Sequence, residues 1–130
     1  MNSEKPQASP WSAVIPFLGY WLPPLLYAVL IFYLSSLPGT TYFPQFFSAD
    51  KILHVAEYGL LGYLLARALG RSPHRKAMLF FTAASLSVLY GISDEIHQYF
   101  VPFRCSSVMD VVADGLGASL GSGIYIKNKG

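Results

Sequence analysis

Four long apolar stretches, separated by short polar segments, make up most of this chain. They cover approximately residues 14–36, 51–69, 76–98 and 107–126. A helix needs about 20 mostly apolar residues to cross the hydrocarbon core of a bilayer, and each stretch is close to that length. The pattern therefore predicts an all-α integral membrane protein with four transmembrane helices.

The composition also indicates a membrane protein. Charged residues make up 12% of the 130 residues, whereas soluble domains average about 25%. No Asp, Glu, Lys, Arg or His occurs from Trp11 to Ala49. The basic residues are few and lie beside apolar runs, so we expect the lipid bilayer as a partner and no nucleic acid. Cys105 is the only cysteine, which excludes an intrachain disulfide and a Cys-based zinc motif.

The ends of the chain and the positions of its basic residues predict the topology. We expect residues 1–10 to form a disordered tail, residues 11–126 the four-helix membrane domain and residues 127–130 a second short tail. With four spans, seven of the nine Lys and Arg residues fall on the side of both termini, and Lys51 and Arg104 fall on the other. Because the Lys/Arg-rich side faces the cytoplasm, both termini are predicted to be cytoplasmic (N-in/C-in).

The acidic residues are concentrated at the opposite, outer ends of the last three spans. Six of the seven lie there: Asp50, Glu57, Asp94, Glu95, Asp110 and Asp114. Two positive charges against six negative charges give this end a formal charge of −4 when its histidines are neutral. Unpaired charges are costly at a partly dehydrated boundary. The sequence leaves three remedies open: protonated carboxylates, bound metal ions or a cationic ligand.

Helical spacing brings these side chains onto a few faces. We expect a functional cluster of eleven residues: Asp50, Lys51, His54, Glu57, Tyr58, Asp94, Glu95, Gln98, Arg104, Asp110 and Asp114. Tyr58, Tyr90 and Gln98 are expected to support the charged residues by hydrogen bonds. Carboxylates and an imidazole can ligate a divalent cation, although no tight metal-ligand spacing accompanies them.

Several of these residues also have a purely structural interpretation. Asp50 is expected at the N-cap of the second helix, and Ser107 with Asp110 has the spacing of a capping box. Arg104 can join two helices through an ion pair with Asp94 or Asp110. The glycines of the fourth helix are expected to allow close packing against a neighbouring helix.

Three segments carry a distinctive combination of motifs: Asp50-Lys51-x-x-His54-x-x-x-Tyr58-x-x-Leu61, Ser93-Asp94-Glu95-x-x-Gln98-x-Phe100-Val101-Pro102-x-Arg104 and Ser107-x-x-Asp110-x-x-x-Asp114-x-x-Gly117. The combination resembles the VanZ-like family of small bacterial membrane proteins, named for a teicoplanin-resistance protein. That family more often has Asn at the position of Asp114 and Gly at the position of Phe103. The resemblance implies a multi-pass protein of the bacterial cytoplasmic (inner) membrane with a role in the cell envelope and in glycopeptide tolerance, but it supplies no mechanism.

Three functions of different classes fit the cluster. The first is a binding protein whose outward cluster holds an envelope component or a cation. The second is a membrane-embedded hydrolase or transferase for a lipid-linked envelope substrate, with Glu57, Asp94 or Glu95 as acid or base. His54 and Arg104 would then contact a phosphate or an oxyanion. The third is a cation- or proton-coupled transporter, against which the nearly apolar inner halves of the spans count. The sequence favours the first function and leaves the ligand, any metal and the oligomeric state undetermined.

Overall fold

In the computed structural model, residues 9–39, 47–73 and 75–130 are described, and they form four α-helices. The helices are α1 (Trp11–Ser36), α2 (Phe47–Leu69), α3 (Lys76–Tyr99) and α4 (Val108–Asn128). The part of the chain that the structure describes contains no strand, so the predicted all-α fold is confirmed. Of the predicted N-terminal tail, residues 1–8 lie outside the described residues.

Three helical segments are long and apolar enough to cross a membrane: Trp11–Ser36, Asp50–Leu69 and Lys76–Tyr99. They are suited to a lipid bilayer, as expected of a membrane protein. α4 is not among them, because its two aspartates and its many glycines and serines lower its hydropathy. A fourth span therefore stays a prediction.

The tightest packing in the bundle is between α2 and α4, whose backbones are in direct contact. A Cβ atom added to Gly117 would collide with the carbonyl oxygen of Val55, and one added to Gly121 would collide with that of Gly59. On the α2 side, a Cβ on Gly62 would lie 2.6 Å from the carbonyl oxygen of Ala118. The interpretation of the α4 glycines as packing residues is confirmed at Gly117 and Gly121.

α1 lies at the edge of the bundle. Among the described residues it contacts α2 and α3 but not α4, and it buries only three of its own residues, Pro24, Ile31 and Ser35. Ile31 packs against Tyr58 and Leu61 of α2 in the small apolar core. The rest of α1 is an exposed apolar surface of the kind that contacts lipid.

The N-terminus of α2 differs from the prediction. The helix begins at Phe47, so Asp50 lies inside its first turn and the expected N-cap role of Asp50 is wrong. Residues 47–49 contain no Pro or Gly that would stop the helix from starting earlier. The Asp50 carboxylate instead lies 3.5 Å from the Lys51 ammonium nitrogen, and an acidic residue in the first turn is favoured by the helix dipole.

Candidate functional site

The predicted cluster is assembled at one end of the bundle, where α1 and α3 end and α2 and α4 begin. Contacts between helices hold its residues together at this end. The buried charged or polar residues here are Ser35, Asp94, Glu95, Gln98, Asp110 and Asp114. The helical spacing grouped Asp94 with Gln98, and Asp110 with Asp114, on faces that are buried in the structure. Glu95, which the spacing places about 100° from Asp94, is buried as well.

Asp114 lies at the centre of the site and is 0% exposed. Its Oδ1 is 2.8 Å from His54 Nδ1. The other oxygen, Oδ2, lies against Gly91 of α3, since a Cβ added there would be 2.7 Å from it and 3.1 Å from Cε1 of Tyr58. No described residue hydrogen-bonds to Asp114 Oδ2 or to the hydroxyl of Tyr58, which is only 1% exposed. The absence of a side chain at Gly91 therefore leaves room for the Asp114 carboxylate and the Tyr58 ring beside α3.

Asp94 is held by neighbours on two helices. Its Oδ2 accepts hydrogen bonds from Ser35 Oγ at 2.6 Å and from Gln98 Nε2 at 2.8 Å. Gln98 Nε2 also lies 3.3 Å from Ser35 Oγ. Oδ1 of Asp94 has no hydrogen-bond partner within the described ranges. The predicted supporting role of Gln98 matches this geometry, whereas Ser35 is a contact that the sequence analysis missed.

Glu95 links α3 to the start of α4. Its Oε2 accepts a 3.1 Å hydrogen bond from the backbone N–H of Ser107, and Ser107 Oγ accepts one from the backbone of Met109. Ser107 is thus the N-cap, but the acidic partner predicted for it, Asp110, is wrong. Glu95 from α3 takes that place. The other oxygen, Glu95 Oε1, is buried and has no partner among the described residues.

Lys51 neutralises an acidic residue in the first turn of α4. Its ammonium group forms an ion pair with the carboxylate of Asp110, whose side chain is 4% exposed. Asp50, on the solvent side of Lys51, has a side chain that is 57% exposed, and its Oδ1 lies 4.0 Å from His54 Nε2. Lys51, Asp110 and Asp50 form the outer part of the site.

Arg104 does not form the ion pair with Asp94 or Asp110 that we expected from the sequence. Its Nη2 donates to the carbonyl oxygen of Leu34 at 2.7 Å and its Nε to that of Leu37 at 3.1 Å. These carbonyls lie at the C-terminal end of α1, where a cation is favoured by the helix dipole. Arg104 therefore attaches α1 to the bundle instead of neutralising the acidic residues by direct contact.

Two further side chains near the cluster also contact α1. The hydroxyl of Tyr90 donates to the carbonyl oxygen of Ala28 at 2.5 Å, so its expected bond to the charged residues is wrong. His97 stacks on Phe32 and lies 3.0 Å from Ser36 Oγ. α1 is thus held at this end mainly by polar contacts.

Glu57 extends the cluster deeper into α2. It is partly buried and lies close enough to His54, Asp94 and Asp114 to interact with them electrostatically. The site as a whole therefore contains six carboxylates. The ammonium group of Lys51 and the imidazole of His54 contact some of them directly.

Among the described residues, two sets of three side chains could hold a metal ion. One consists of Asp50, His54 and Asp110, and the other of His54, Glu95 and Asp114. Within each set, one possible ligand atom per residue lies within 4.8 Å of the others.

Comparison with known families places this architecture. The sequence matches the family described as VanZ/LLP1 over residues 13–128. The chain belongs to the VanZ/LLP1 family. The match covers nearly all of the four helices and the whole site, and it confirms the resemblance inferred from three motif segments. Searches of curated proteins and of solved structures each gave no match.

Proposed function

We propose that this VanZ/LLP1 protein crosses the bacterial cytoplasmic membrane four times, with both termini inside, and binds a cationic ligand at its outer end. That ligand is an envelope component or a cation. The distribution of Lys and Arg supports the orientation, with seven on the side of the termini and two on the other. α4 supports the fourth span, because 21 residues extend about 30 Å at ~1.5 Å per residue and pack along α2.

The observation that carries the binding function is a group of buried oxygen atoms with unused hydrogen-bonding capacity. In the described part of the chain, four such atoms have no partner: Tyr58 Oη, Asp94 Oδ1, Glu95 Oε1 and Asp114 Oδ2. A buried polar group without a partner costs about 1–3 kcal/mol, so a cluster with a purely structural role would pair these atoms. Three of them belong to carboxylates, which favour a cation.

The position of Arg104 favours binding over catalysis. In the enzyme hypothesis Arg104 contacts a substrate phosphate or oxyanion, yet both its Nε and its Nη2 donate to carbonyls of α1. Among the described residues, Arg104 therefore makes no hydrogen bond or ion pair with the acidic side chains of the site, and these two donors are not directed at a phosphate bound there.

The orientation can be tested with the native thiol. Cys105 is exposed and lies between α3 and α4, at the proposed outer end. We expect a membrane-impermeant maleimide to label it in intact cells. In a Cys105→Ser background, Ser72→Cys, between α2 and α3, should be labelled only after the membrane is permeabilised. The opposite pattern would contradict the proposed topology.

The envelope role can be tested by expression in a teicoplanin-susceptible bacterium. We expect the wild-type chain to raise the minimum inhibitory concentration of teicoplanin, and Glu95→Gln to abolish that increase at equal membrane abundance. His97→Gln is the control, because His97 lies outside the cluster and contacts Phe32 and Ser36 of α1, and this variant should retain the increase. Equal tolerance with wild type and Glu95→Gln would contradict a role for the buried carboxylates in the envelope function.

A further inference from the structure

We propose that His54, Glu95 and Asp114 bind a divalent first-row transition-metal ion, an inference that rests on the proposed function and specifies its ligand. The three side chains come from α2, α3 and α4, and one possible ligand atom of each lies within 4.8 Å of the others. Ligands at ~2.0–2.2 Å from a metal are themselves separated by roughly 3–4 Å. The candidate ligand atoms therefore lie close to the spacing that a bound ion requires.

The unused oxygen atoms independently indicate a ligand at this position. Asp114 is 0% exposed and Glu95 is 4% exposed, and one oxygen of each has no partner in the described residues. Asp114 Oδ1 lies 2.8 Å from His54 Nδ1, so an ion bound by both groups would replace the proton that they share. Glu95 Oε2 accepts a hydrogen bond from the Ser107 N–H at 3.1 Å, and a carboxylate oriented in this way by one oxygen presents the other to an ion. The buried hydroxyl of Tyr58 also lacks a described partner.

The alternative set, Asp50, His54 and Asp110, is a weaker candidate. The Lys51 ammonium group already pairs with Asp110, so a metal ion there would have to displace this ammonium group. The Asp50 side chain is 57% exposed and has water as an alternative partner. Asp110 thus already has an ammonium partner, whereas Asp114 contacts an imidazole and Glu95 a backbone N–H.

The ligand types define the class of metal. Two carboxylates and one imidazole suit ions such as Zn²⁺ or Mn²⁺, whereas Mg²⁺ and Ca²⁺ prefer oxygen ligands alone. Two carboxylates also neutralise the charge of a divalent ion, which matters in a buried site where net charge is costly. His54 is the only imidazole that contacts the buried carboxylates within the described residues.

The test uses the full-length protein in lipid nanodiscs, freed of metal with a chelator and then titrated with Zn²⁺ and Mn²⁺ by equilibrium dialysis. We expect one ion per chain. Glu95→Gln and His54→Gln should each lower the affinity by about 100-fold, because removing a ligand costs at least as much as removing an outer-sphere group. His97→Gln, which removes an imidazole outside the cluster, should stay within about threefold of wild type. Asp50→Asn should lower the affinity much less than Glu95→Gln, because Asp50 is not a ligand. Saturating Zn²⁺ should raise the Tm of wild type and of Asp50→Asn but not of Glu95→Gln.

Wild-type protein alone also decides the question if a variant fails to fold. X-ray absorption of the Zn²⁺-loaded protein should show one imidazole with oxygen ligands, and a spectrum without imidazole would overturn the proposal. The absence of stoichiometric binding would overturn it as well. So would an equal loss of affinity in Asp50→Asn, which would move the ion to the outer set.

Failure of this inference can be distinguished from failure of the proposed function. If neither metal binds but Glu95→Gln still abolishes teicoplanin tolerance, the metal site is wrong and another cationic ligand is required. If Zn²⁺ binds as expected and Glu95→Gln leaves tolerance unchanged, the metal site stands and the envelope function is contradicted.

Discussion

Asp110 and Asp114 lie one turn apart on the same side of α4, and their carboxylates have different surroundings. Asp110 is paired with the ammonium group of Lys51. Asp114 contacts His54 through one oxygen, and the other has no partner in the described part of the chain. The first arrangement is complete without a ligand and the second is not. Two carboxylates that are both buried therefore differ in what neutralises them.

Both arrangements depend on backbone contact between α2 and α4, so separating these helices should have the largest effect. In Gly121→Ala the new Cβ would collide with the carbonyl oxygen of Gly59. Backbone atoms cannot rotate away, so we expect a loss of about 3 kcal/mol in the free energy of unfolding, at the upper end for overpacking. Thermal unfolding in nanodiscs would measure it.

Gly123→Ala is the matched control for that experiment. Its Cβ would lie 3.8 Å from Phe80, an ordinary contact, and replacing Gly by Ala in a helix favours folding by up to about 1 kcal/mol. A Gly121→Ala variant as stable as Gly123→Ala would show that the helices are not in backbone contact, and the pairing of α2 with α4 side chains would need another explanation.

Removing the cation from the complete pair should give the next largest effect. Lys51→Met leaves the Asp110 carboxylate buried without its ion-pair partner. Breaking a buried pair costs about 3–5 kcal/mol, and because Lys51 is partly exposed we expect about 2–3 kcal/mol. The measurement is the Tm in the presence of a chelator.

The double variant Lys51→Met/Asp110→Asn should recover most of that stability, since it removes both charges. A double variant that is as unstable as Lys51→Met would mean that Lys51 stabilises the protein by other contacts. The description of Asp110 as a carboxylate neutralised by Lys51 would then be incorrect.

The incomplete arrangement should respond with the opposite sign. Asp114→Asn keeps an oxygen for His54 Nδ1 and removes a buried negative charge that is only partly compensated. In metal-free protein we expect an increase of about 1 kcal/mol in the free energy of unfolding, together with weaker Zn²⁺ binding. If Asp114→Asn destabilised the chelator-treated protein as much as Lys51→Met does, the proposed difference between Asp110 and Asp114 would be wrong.

The sequence was sufficient for the helices and for several side chains that share a face of α3 or α4. Apolar length predicted four helices, and a period of 3.6 residues grouped Asp94 with Gln98 and Asp110 with Asp114 on faces that are buried in the structure. The same period separated Glu95 from Asp94, and the burial of Glu95 was not predicted in this way. Membership of the VanZ/LLP1 family was likewise recognisable from motifs that each helix contributes separately.

The partners of these side chains could not be predicted, because they depend on how the helices are placed beside one another. Arg104 lies between Asp94 and Asp110 in the sequence, yet it caps α1. Glu95 completes the cap of α4 because α3 brings it to Ser107. Ser35 ends an apolar run that contains no charge, and only the packing of α1 on α3 shows that it contacts Asp94.

The smallest expected effect concerns the loop that closes the same end of the bundle. Phe103 has a φ of 61°, in the left-handed region that favours glycine. Its side chain is 86% exposed, so little packing is lost on its removal. We expect Phe103→Gly to raise the free energy of unfolding by about 1 kcal/mol by relieving the strain of this conformation.

Because neighbouring Arg104 would keep its bonds to α1, Zn²⁺ affinity should be unchanged. Thermal unfolding with and without Zn²⁺ would measure both effects. A lower Tm would mean that the Phe103 side chain contributes more at the membrane surface than its backbone strain costs.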